Sequence, residues 1–543
     1  MKKRILIVCF NLLLINFLNA QSGLKTVAEL SDYESTSQYA DVINFIKQLE
    51  KSSKFVRTET IAVTEEGREI PMMVIGNPLP KFPKDLANDK RIVVYIQGNI
   101  HAGEVEGKEA LQMYVRDLLV EKNNTLLKDV VLLICPIFNA DGNEKISVNN
   151  RTNQNGPKKG VGVRYNGAFL DINRDALKME SPEMKGLVTN VFNKWDPSVI
   201  MDCHTTNGVY RQEPVTFTWM MNPNGDRDLI NYMRDKMMPD MHKTLLEKYK
   251  VENCFYGEFN DMGNPDSGYV SYAHEPRYMV NYAGLRNRLS ILNENYVYAD
   301  FKSRVNGCYY LIHSLLDYVQ THKDEIKSII KTADNNVINQ FKSPNAVSSF
   351  SFDYKVQPTP EPIIVKTYEV KKDTNSLNYE HYLPTDVKKT LTIPYLADYF
   401  PNTSEPMPYA YLITVPDKAV IANLRAHGIK MEKLTESHTF EVESFVIKSL
   451  KGSSRLNQGH YTNSIEGEYA KGNMQFDEGT ILIRNSQPLA HVIAYLLEPQ
   501  SGDGLLYWNF FDKYLVPQWG RGYYPYPVYR LRDKCDLTTK PIE

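Results

Sequence analysis

Short apolar runs alternate with stretches of helical periodicity between about residue 40 and residue 330. This alternation is typical of an α/β domain, because each apolar run can form a buried strand and each amphipathic stretch can cover one face of a sheet. Candidate strands lie at 91–97, 130–138, 199–203 and 289–293, and candidate helices at 104–119, 182–195, 227–249 and 301–330. We therefore predict a mixed, mostly parallel sheet flanked by helices.

The pattern changes after Lys331. Residues 343–362 are rich in Ser and Pro, which predicts a linker, and most runs beyond it are short and strand-like. Two later stretches, 488–497 and 504–511, look helical. A chain of 543 residues is too long for one ordinary compact domain. We predict an α/β domain over residues 21–340, followed by a smaller β-rich region over residues 345–543.

The N-terminus has the layout of a signal peptide. Lys2, Lys3 and Arg4 precede an apolar run over residues 5–17, and Ala20 offers a small residue for cleavage. The run is too short for a comfortable membrane span, and two asparagines interrupt it. We expect residues 1–20 to be removed and the mature protein to be exported, to the periplasm or the extracellular space, without a stable membrane span.

The charges of the chain nearly cancel, with 63 Lys and Arg against 65 Asp and Glu. No global field would attract nucleic acid or an anionic membrane surface. We therefore expect no nucleic-acid partner, and any recognition of charge must be local.

The cysteines do not form a disulfide framework. Five remain once Cys9 leaves with the signal peptide, and their positions show no paired spacing. Cys135 and Cys203 lie inside apolar runs and are predicted to be buried thiols. The sequence does not decide whether Cys254 and Cys308 form a disulfide bond.

A histidine followed three residues later by a glutamate occurs three times. The pairs are His101 and Glu104, His322 and Glu325, and His438 and Glu441. The second pair lies at the charged end of a predicted helix, and the third flanks a strand-like run that would point its side chains to opposite faces. Only the first pair follows a strand and a Gly98-Asn99 turn, which is where open α/β sheets place their sites.

A catalytic zinc ion needs three protein ligands and an open coordination position. The polar cluster of residues 202–206 follows an apolar run, 199–201, and so lies at a second strand end. His204 in this cluster can supply the third ligand if the fold brings it to His101 and Glu104. We predict one zinc ion per chain on these three residues, with an ordinary structural histidine as the competing explanation of His204.

Five motifs, in the same order, resemble those of the zinc metallocarboxypeptidases related to carboxypeptidase A. They are HAGE at 101–104, NADG at 139–142, DINR at 171–174, DCHTT at 202–206 and a late glutamate, Glu294, in RLSILNEN. The resemblance covers roughly residues 40–320 and leaves the β-rich remainder uncovered. It implies a carboxypeptidase-like fold and zinc-dependent hydrolysis of the C-terminal bond of peptides.

Glu294 is the predicted general base. It ends the apolar run 289–292, so a strand would aim its carboxylate into the site, and partial burial would raise its pKa toward the working pH. It would take a proton from the zinc-activated water and pass it to the leaving amine. Glu275, which precedes Pro276 in a predicted loop, is the weaker candidate.

Three further residues are predicted around the substrate and the metal. Asp171 would accept a hydrogen bond from His101 and fix its tautomer. Asn173 and Arg174 offer an amide and a planar guanidinium, which suit a free substrate carboxylate, and the resemblance gives them this role.

The remaining roles come from the resemblance and are less specific. An arginine upstream of DINR would stabilise the oxyanion, and here Arg151 is preferred over Arg164 because of its distance from NADG. A tyrosine would close over the substrate carboxylate. Tyr272 fits best among four candidates, the others being Tyr269, Tyr278 and Tyr282. Met279 is a candidate for the floor of the side-chain pocket.

The sequence therefore predicts a carboxypeptidase whose substrate is a peptide with a free C-terminal carboxylate. One alternative is a zinc amidase or deacylase acting on peptidoglycan stem peptides or N-acyl amino acids. A second is a catalytically weak protein that binds peptides or glycans. Glycans would stack on the aromatic residues of 507–526, but packing inside the protein is the preferred explanation for those rings. The oligomeric state stays open.

Overall fold

The structure is a computed structural model that describes residues 23–120, 125–206, 208–341, 348–373 and 382–542. The predicted signal peptide, residues 1–20, lies outside the described residues. Within the described ranges, no helix is long and apolar enough to cross a membrane.

An eight-stranded mixed sheet forms the centre of the N-terminal part. The strands before residue 300 are β1 (Val56–Val63), β2 (Glu69–Ile75), β3 (Ile92–Gly98), β4 (Val130–Cys135), β5 (Val199–Thr205), β6 (Val215–Trp219), β7 (Asn253–Phe255), β8 (Glu258–Phe259), β9 (Tyr269–Val270) and β10 (Leu289–Asn295). The order in the sheet is β1-β2-β4-β3-β5-β10-β6-β7. Its four middle strands, β4, β3, β5 and β10, run parallel and are mostly buried on both faces, as expected for a sheet covered by helices.

Helices cover this sheet. They are α1 (Val27–Leu30), α2 (Tyr39–Ser52), α3 (Glu106–Val120), α4 (Leu126–Asp129), α5 (Ala140–Asn143), α6 (Pro182–Gly186), α7 (Asn193–Trp195), α8 (Arg227–Tyr232), α9 (Met238–Glu247), α10 (Met279–Leu285) and α11 (Phe301–Gln340). A π-helical segment, Leu187–Phe192, joins α6 to α7, and another, Met233–Met237, joins α8 to α9 ahead of Pro239. Ser181 caps α6 by accepting a hydrogen bond from Met184, and Pro182 takes the first helical position.

The C-terminal part is β-rich, as predicted. Its strands are β11 (Ser349–Pro358), β12 (Ile363–Lys372), β13 (Tyr382–Ile393), β14 (Tyr395–Pro406), β15 (Ala410–Ile413), β16 (Glu432–Leu434), β17 (His438–Gly452), β18 (Asn463–Phe476), β19 (Ile481–Arg484), β20 (Val528–Leu531) and β21 (Thr539–Pro541), with helices α12 (Lys418–Ala426) and α13 (Ala490–Leu497). Seven strands form one sheet in the order β18-β17-β20-β15-β19-β16-β21, and β12 pairs with β13. The remaining two, β11 and β14, join β9 and β8 of the N-terminal part in a four-stranded sheet.

Two predictions for the C-terminal part are wrong. Residues 349–358 of the predicted linker form β11, because their backbone hydrogen bonds are made with β14 rather than with water. Residues 504–511 form consecutive turns instead of a helix, and Asn509 adopts a positive φ of 68° that helical backbone does not allow.

The cysteines follow the preferred prediction, whereas the aromatic residues of 507–526 follow it only in part. Cys135 and Cys203 are buried thiols, and Cys254 and Cys308 are also free, so the bridge between them is absent. Among the C-terminal aromatic residues, Trp508 and Tyr526 are buried as predicted, whereas Trp519, Tyr523 and Tyr524 are exposed and do not pack in the core.

Candidate active site

Three potential metal ligands meet at the carboxyl ends of the parallel strands. Donor atoms of His101, Glu104 and His204 lie within 4.8 Å of one another, and all three residues are buried. Glu104 Oε1 is 3.1 Å from His101 Nδ1, and Oε2 is 2.9 Å from His204 Nδ1. His204 is the penultimate residue of β5, while His101 and Glu104 lie in the connection between β3 and α3. Two imidazoles and one carboxylate match the donors that catalytic zinc prefers.

A carboxylate holds the outer nitrogen of each histidine ring. Asp171 Oδ1 is 3.0 Å from His101 Nε2, and Asp202 Oδ2 is 2.8 Å from His204 Nε2. When each ring donates its Nε2–H to its carboxylate, both Nδ1 lone pairs face Glu104, which is the tautomer a metal ion requires.

Asp202 is a residue whose role the sequence reasoning missed. It stands two positions before His204 on β5, so both side chains lie on the same face of the strand. That spacing was the available signal. Asp202 also accepts a hydrogen bond from Gln97 Nε2 at 3.1 Å, which fixes its orientation.

The charges around the cluster favour ionised carboxylates. Burial raises the pKa of Asp171, but His101, Arg164 and Arg174 outweigh it and hold that pKa well below its ordinary value. Burial likewise raises the pKa of Glu104, and the opposing effects of His101, Arg151 and His204 leave the pKa well below its usual range. An anionic site of this kind is ready to bind a cation.

Glu294 lies beside the cluster. It pairs in register with His204 across β10 and β5, so the two side chains are neighbours on one face. Its Oε2 is buried and makes no hydrogen bond to any described residue. Burial raises the pKa of Glu294 to about 8. The charge of His204 acts in the opposite direction, and the charge of Glu104 raises the pKa further. A carboxylate with an unused oxygen and a raised pKa is equipped to exchange a proton.

Both candidate arginines reach the ligand cluster. Arg151 Nη1 is 2.9 Å from Glu104 Oε1, and Arg164 Nη1 is 3.9 Å from the same oxygen. Arg164 also donates from Nε to Asp171 Oδ2 at 2.7 Å, and its side chain lines the cavity described below.

A cavity of about 460 Å³ opens beside the cluster and Glu294. Asn173 and Arg174 line it. The side-chain oxygen of Asn173, Oδ1, accepts a hydrogen bond from Met279 N at 3.0 Å, so the side-chain NH₂ group points away from Met279. The Arg174 guanidinium stacks on the ring of Tyr278, 4.5 Å from its centroid, and is held by the Asn173 carbonyl at 2.9 Å. These contacts leave a pre-oriented cationic group on the cavity wall.

Two of the four candidate tyrosines line the cavity, Tyr272 and Tyr278. The Tyr272 hydroxyl donates to Asn281 Oδ1 at 2.8 Å. The other candidates, Tyr269 and Tyr282, have no exposed surface and are packed away from the cavity.

The prediction of Met279 as a floor residue is wrong. Its side chain is fully buried at the start of α10 and does not line the cavity. Val280 and Leu292 supply apolar lining instead.

A residue from the C-terminal part also reaches the site. Gln458 Oε1 accepts a hydrogen bond from the backbone N–H of Asp171 at 2.8 Å. Gln458 sits in a turn with a positive φ of 53°, next to the bridge between Asn457 and His460. The sequence around it contains no motif that would have indicated this contact.

Comparisons with known proteins agree with this site. Residues 42–209 match the family peptidase M14, zinc carboxypeptidase, so the match contains the three ligands, Asp171, Asn173 and Arg174 but ends before Glu294. A search of curated proteins gave no match.

Solved structures similar to this chain include several carboxypeptidases. A putative carboxypeptidase A from Shewanella denitrificans is 15% identical, with 53% of this chain and 69% of that chain covered and a TM-score of 0.40. Carboxypeptidase A from Helicoverpa armigera is 14% identical, with 55% and 75% covered and a TM-score of 0.39. A metallo-carboxypeptidase from Pseudomonas aeruginosa is 13% identical, with 53% and 70% covered and a TM-score of 0.39. The family match thus places a zinc carboxypeptidase domain of the M14 family at residues 42–209, the part of the chain that contains all three candidate ligands of the cluster.

Proposed function

We propose that this protein removes the C-terminal residue of peptides, with Glu294 as the general base. The observation that carries the proposal is the position of the Glu294 carboxylate, which lies beside His204 with one oxygen unused, in a cavity that also contains Arg174. The cavity thus combines a proton acceptor with a group suited to a free carboxylate.

The residues divide the work as follows. A zinc ion on His101, Glu104 and His204 would make water more acidic and polarise the scissile carbonyl. Glu294 accepts a proton from the attacking water and delivers it to the leaving amine. Asn173 and Arg174 bind the terminal carboxylate, and Tyr272, which lines the same cavity, closes over it. Arg151 donates to the developing oxyanion, with Arg164 as the competing candidate.

The first prediction concerns Glu294→Gln. The amide has nearly the same shape but cannot accept the proton, so we expect kcat/KM for blocked dipeptides to fall by about 100-fold or more. Zinc content, measured by elemental analysis, should stay at one ion per chain in both proteins. Wild-type activity in Glu294→Gln would contradict the proposed base.

Two controls make this experiment specific. His322→Ala removes a histidine of the same spacing, located in α11 with Nδ1 3.0 Å from the Tyr318 carbonyl, and should retain zinc. N-acyl amino acids and peptidoglycan stem peptides in the substrate panel test the alternative amidase or deacylase. Faster turnover of those compounds than of peptides would replace the proposed substrate.

We also propose that residues 1–20 direct export, that residues 21–340 form the catalytic part of the mature chain, and that residues 345–543 form its β-rich C-terminal region. The first point is tested by sequencing the N-terminus of the exported protein, which should begin at Gln21. Recovery of the intact N-terminus in the cytoplasm would contradict it.

A further inference from the structure

The C-terminal part contributes backbone to the wall of the cavity. Strand β14 runs parallel to β9, with Tyr395 opposite Tyr269 and Leu396 opposite Val270. The pairing continues past β9, because Ser271 N donates to the Leu396 carbonyl at 3.0 Å. Val270 and Ser271 line the cavity, so β14 lies directly behind this wall.

The Tyr395 hydroxyl connects the two halves of that wall. It donates to the Tyr256 carbonyl at 2.7 Å and lies 3.0 Å from Ser271 Oγ. Tyr256 and Ser271 both line the cavity but belong to different segments, 256–260 and 270–273. The same hydroxyl is 3.1 Å from Thr218 Oγ1 on β6, and Thr218 pairs with Leu292 of β10, the strand that carries Glu294.

Two more contacts hold the second segment and the chain that follows it. The Tyr399 hydroxyl, also on β14, donates to the Tyr272 carbonyl at 3.2 Å. Asp503 forms an ion pair with Arg277 at 2.8 Å, and the Asp503 side chain is fully buried. The C-terminal part therefore holds the wall through the pairing of β14 and through the hydroxyls of Tyr395 and Tyr399, and it holds the chain just beyond the wall through Asp503.

These contacts matter because the wall has little regular structure of its own. Strands β8 and β9 are two residues each, and the rest of 256–273 consists of one three-residue 3₁₀ helix, Pro265–Ser267, with turns and irregular backbone. Such segments depend on tertiary contacts for their position. The Tyr395 hydroxyl has no exposed surface, so losing it would leave its partners without a replacement from water.

We propose that the C-terminal part completes the substrate site and that Tyr395 is a positioning residue, whose hydroxyl sets the distance between the two wall segments. The inference rests on the proposed function only in taking this cavity as the place where the peptide binds. Within the described part of the chain, the Tyr395 hydroxyl makes its hydrogen bonds to Tyr256, Ser271 and Thr218, none of which is a proposed metal ligand or the proposed base. Its effect should therefore appear in substrate binding and not in proton transfer.

The test is Tyr395→Phe, which removes one oxygen and keeps the ring. We expect KM for a blocked dipeptide to rise on the order of tenfold while kcat and zinc content change by less than about twofold. The matched control is Tyr526→Phe, which removes another fully buried hydroxyl of the C-terminal part, one that donates to the Leu497 carbonyl at 2.9 Å and does not line the cavity. The control should lose comparable thermal stability with an unchanged KM.

A second readout is independent of catalysis. Amide hydrogen exchange across residues 256–273 should be faster in Tyr395→Phe than in the wild type, and unchanged in Tyr526→Phe. Unaltered exchange in Tyr395→Phe, or an equal rise in KM in Tyr526→Phe, would overturn the positioning role. If the wild type cleaves no peptide, the proposed function fails, and the exchange data alone decide whether Tyr395 holds the wall.

Discussion

At the scale of single residues, the proposed metal site depends on how the two histidine rings are oriented. Asp171 and Asp202 each bind an Nε2 atom, so that the Nδ1 atoms face Glu104. Outer carboxylates of this kind increase the basicity of the ring and reduce the freedom that metal binding would otherwise remove.

We predict that Asp202→Asn weakens zinc binding by about 10-fold or more, because a neutral amide accepts a weaker hydrogen bond from His204. A competition titration against a chelator measures the dissociation constant. Asp235→Asn, which alters a half-exposed carboxylate paired with Arg234, should leave the constant unchanged. Equal zinc affinity in Asp202→Asn and the wild type would show that His204 needs no outer carboxylate.

The sequence predicted the cluster because each member follows an apolar run, and strand ends meet at one edge of a parallel sheet. Asp202 was accessible to the same reasoning through the two-residue period of a strand. Gln458 was not, because its contact with Asp171 joins two positions that are 287 residues apart and share no pattern in the sequence.

At the scale of elements, a buried ion pair joins α3 to α11 beneath the site. Arg304 Nε donates to Glu106 Oε1, and neither side chain is exposed. The same guanidinium donates to the carbonyls of Asn155 and Gly156 at 2.8 Å, in the loop that begins with Arg151. Glu106 also accepts a hydrogen bond from Thr205, next to His204. The Arg304–Glu106 ion pair therefore supports both the loop that begins with Arg151 and the end of β5.

We predict that Arg304→Met destabilises the protein by about 3–5 kcal/mol, because it leaves Glu106 buried without its counter-charge. Urea unfolding measures the change, and adding Glu106→Gln should recover part of the loss. Lys236→Met, which breaks the exposed pair with Glu325, serves as a control and should change stability little. A similar effect of both single substitutions would mean that burial of the Arg304 pair is unimportant.

At the scale of the whole molecule, the apolar core is continuous between the two parts of the chain. Phe350, Val420 and Leu496 belong to the same buried cluster as Met72 and Val199. The Tyr395 ring packs against Trp219 and Phe255, with centroids 5.9 and 6.0 Å apart. This continuity could not be predicted from the sequence, since the periodicity of apolar residues locates the apolar face of each helix or strand but does not show which faces pack against one another.

We predict that a chain ending at residue 341 loses its thermal unfolding transition or aggregates, because the surface that packs against Tyr395 and α13 becomes exposed. Calorimetry and size-exclusion chromatography on the truncated and full-length proteins measure this. A soluble truncated protein with wild-type KM would make the C-terminal part dispensable.

The pairing of β14 with β9 has a consequence for the order in which the enzyme is made. The three proposed metal ligands and Glu294, the proposed base, are all translated before residue 300, yet β14, the strand behind the cavity wall, ends at Pro406, and Arg277 pairs with Asp503. Contacts so distant in sequence form late in folding. We expect the unfinished chain to carry every proposed catalytic group and still to lack an ordered cavity, which would spare the cell's own peptides until synthesis is complete.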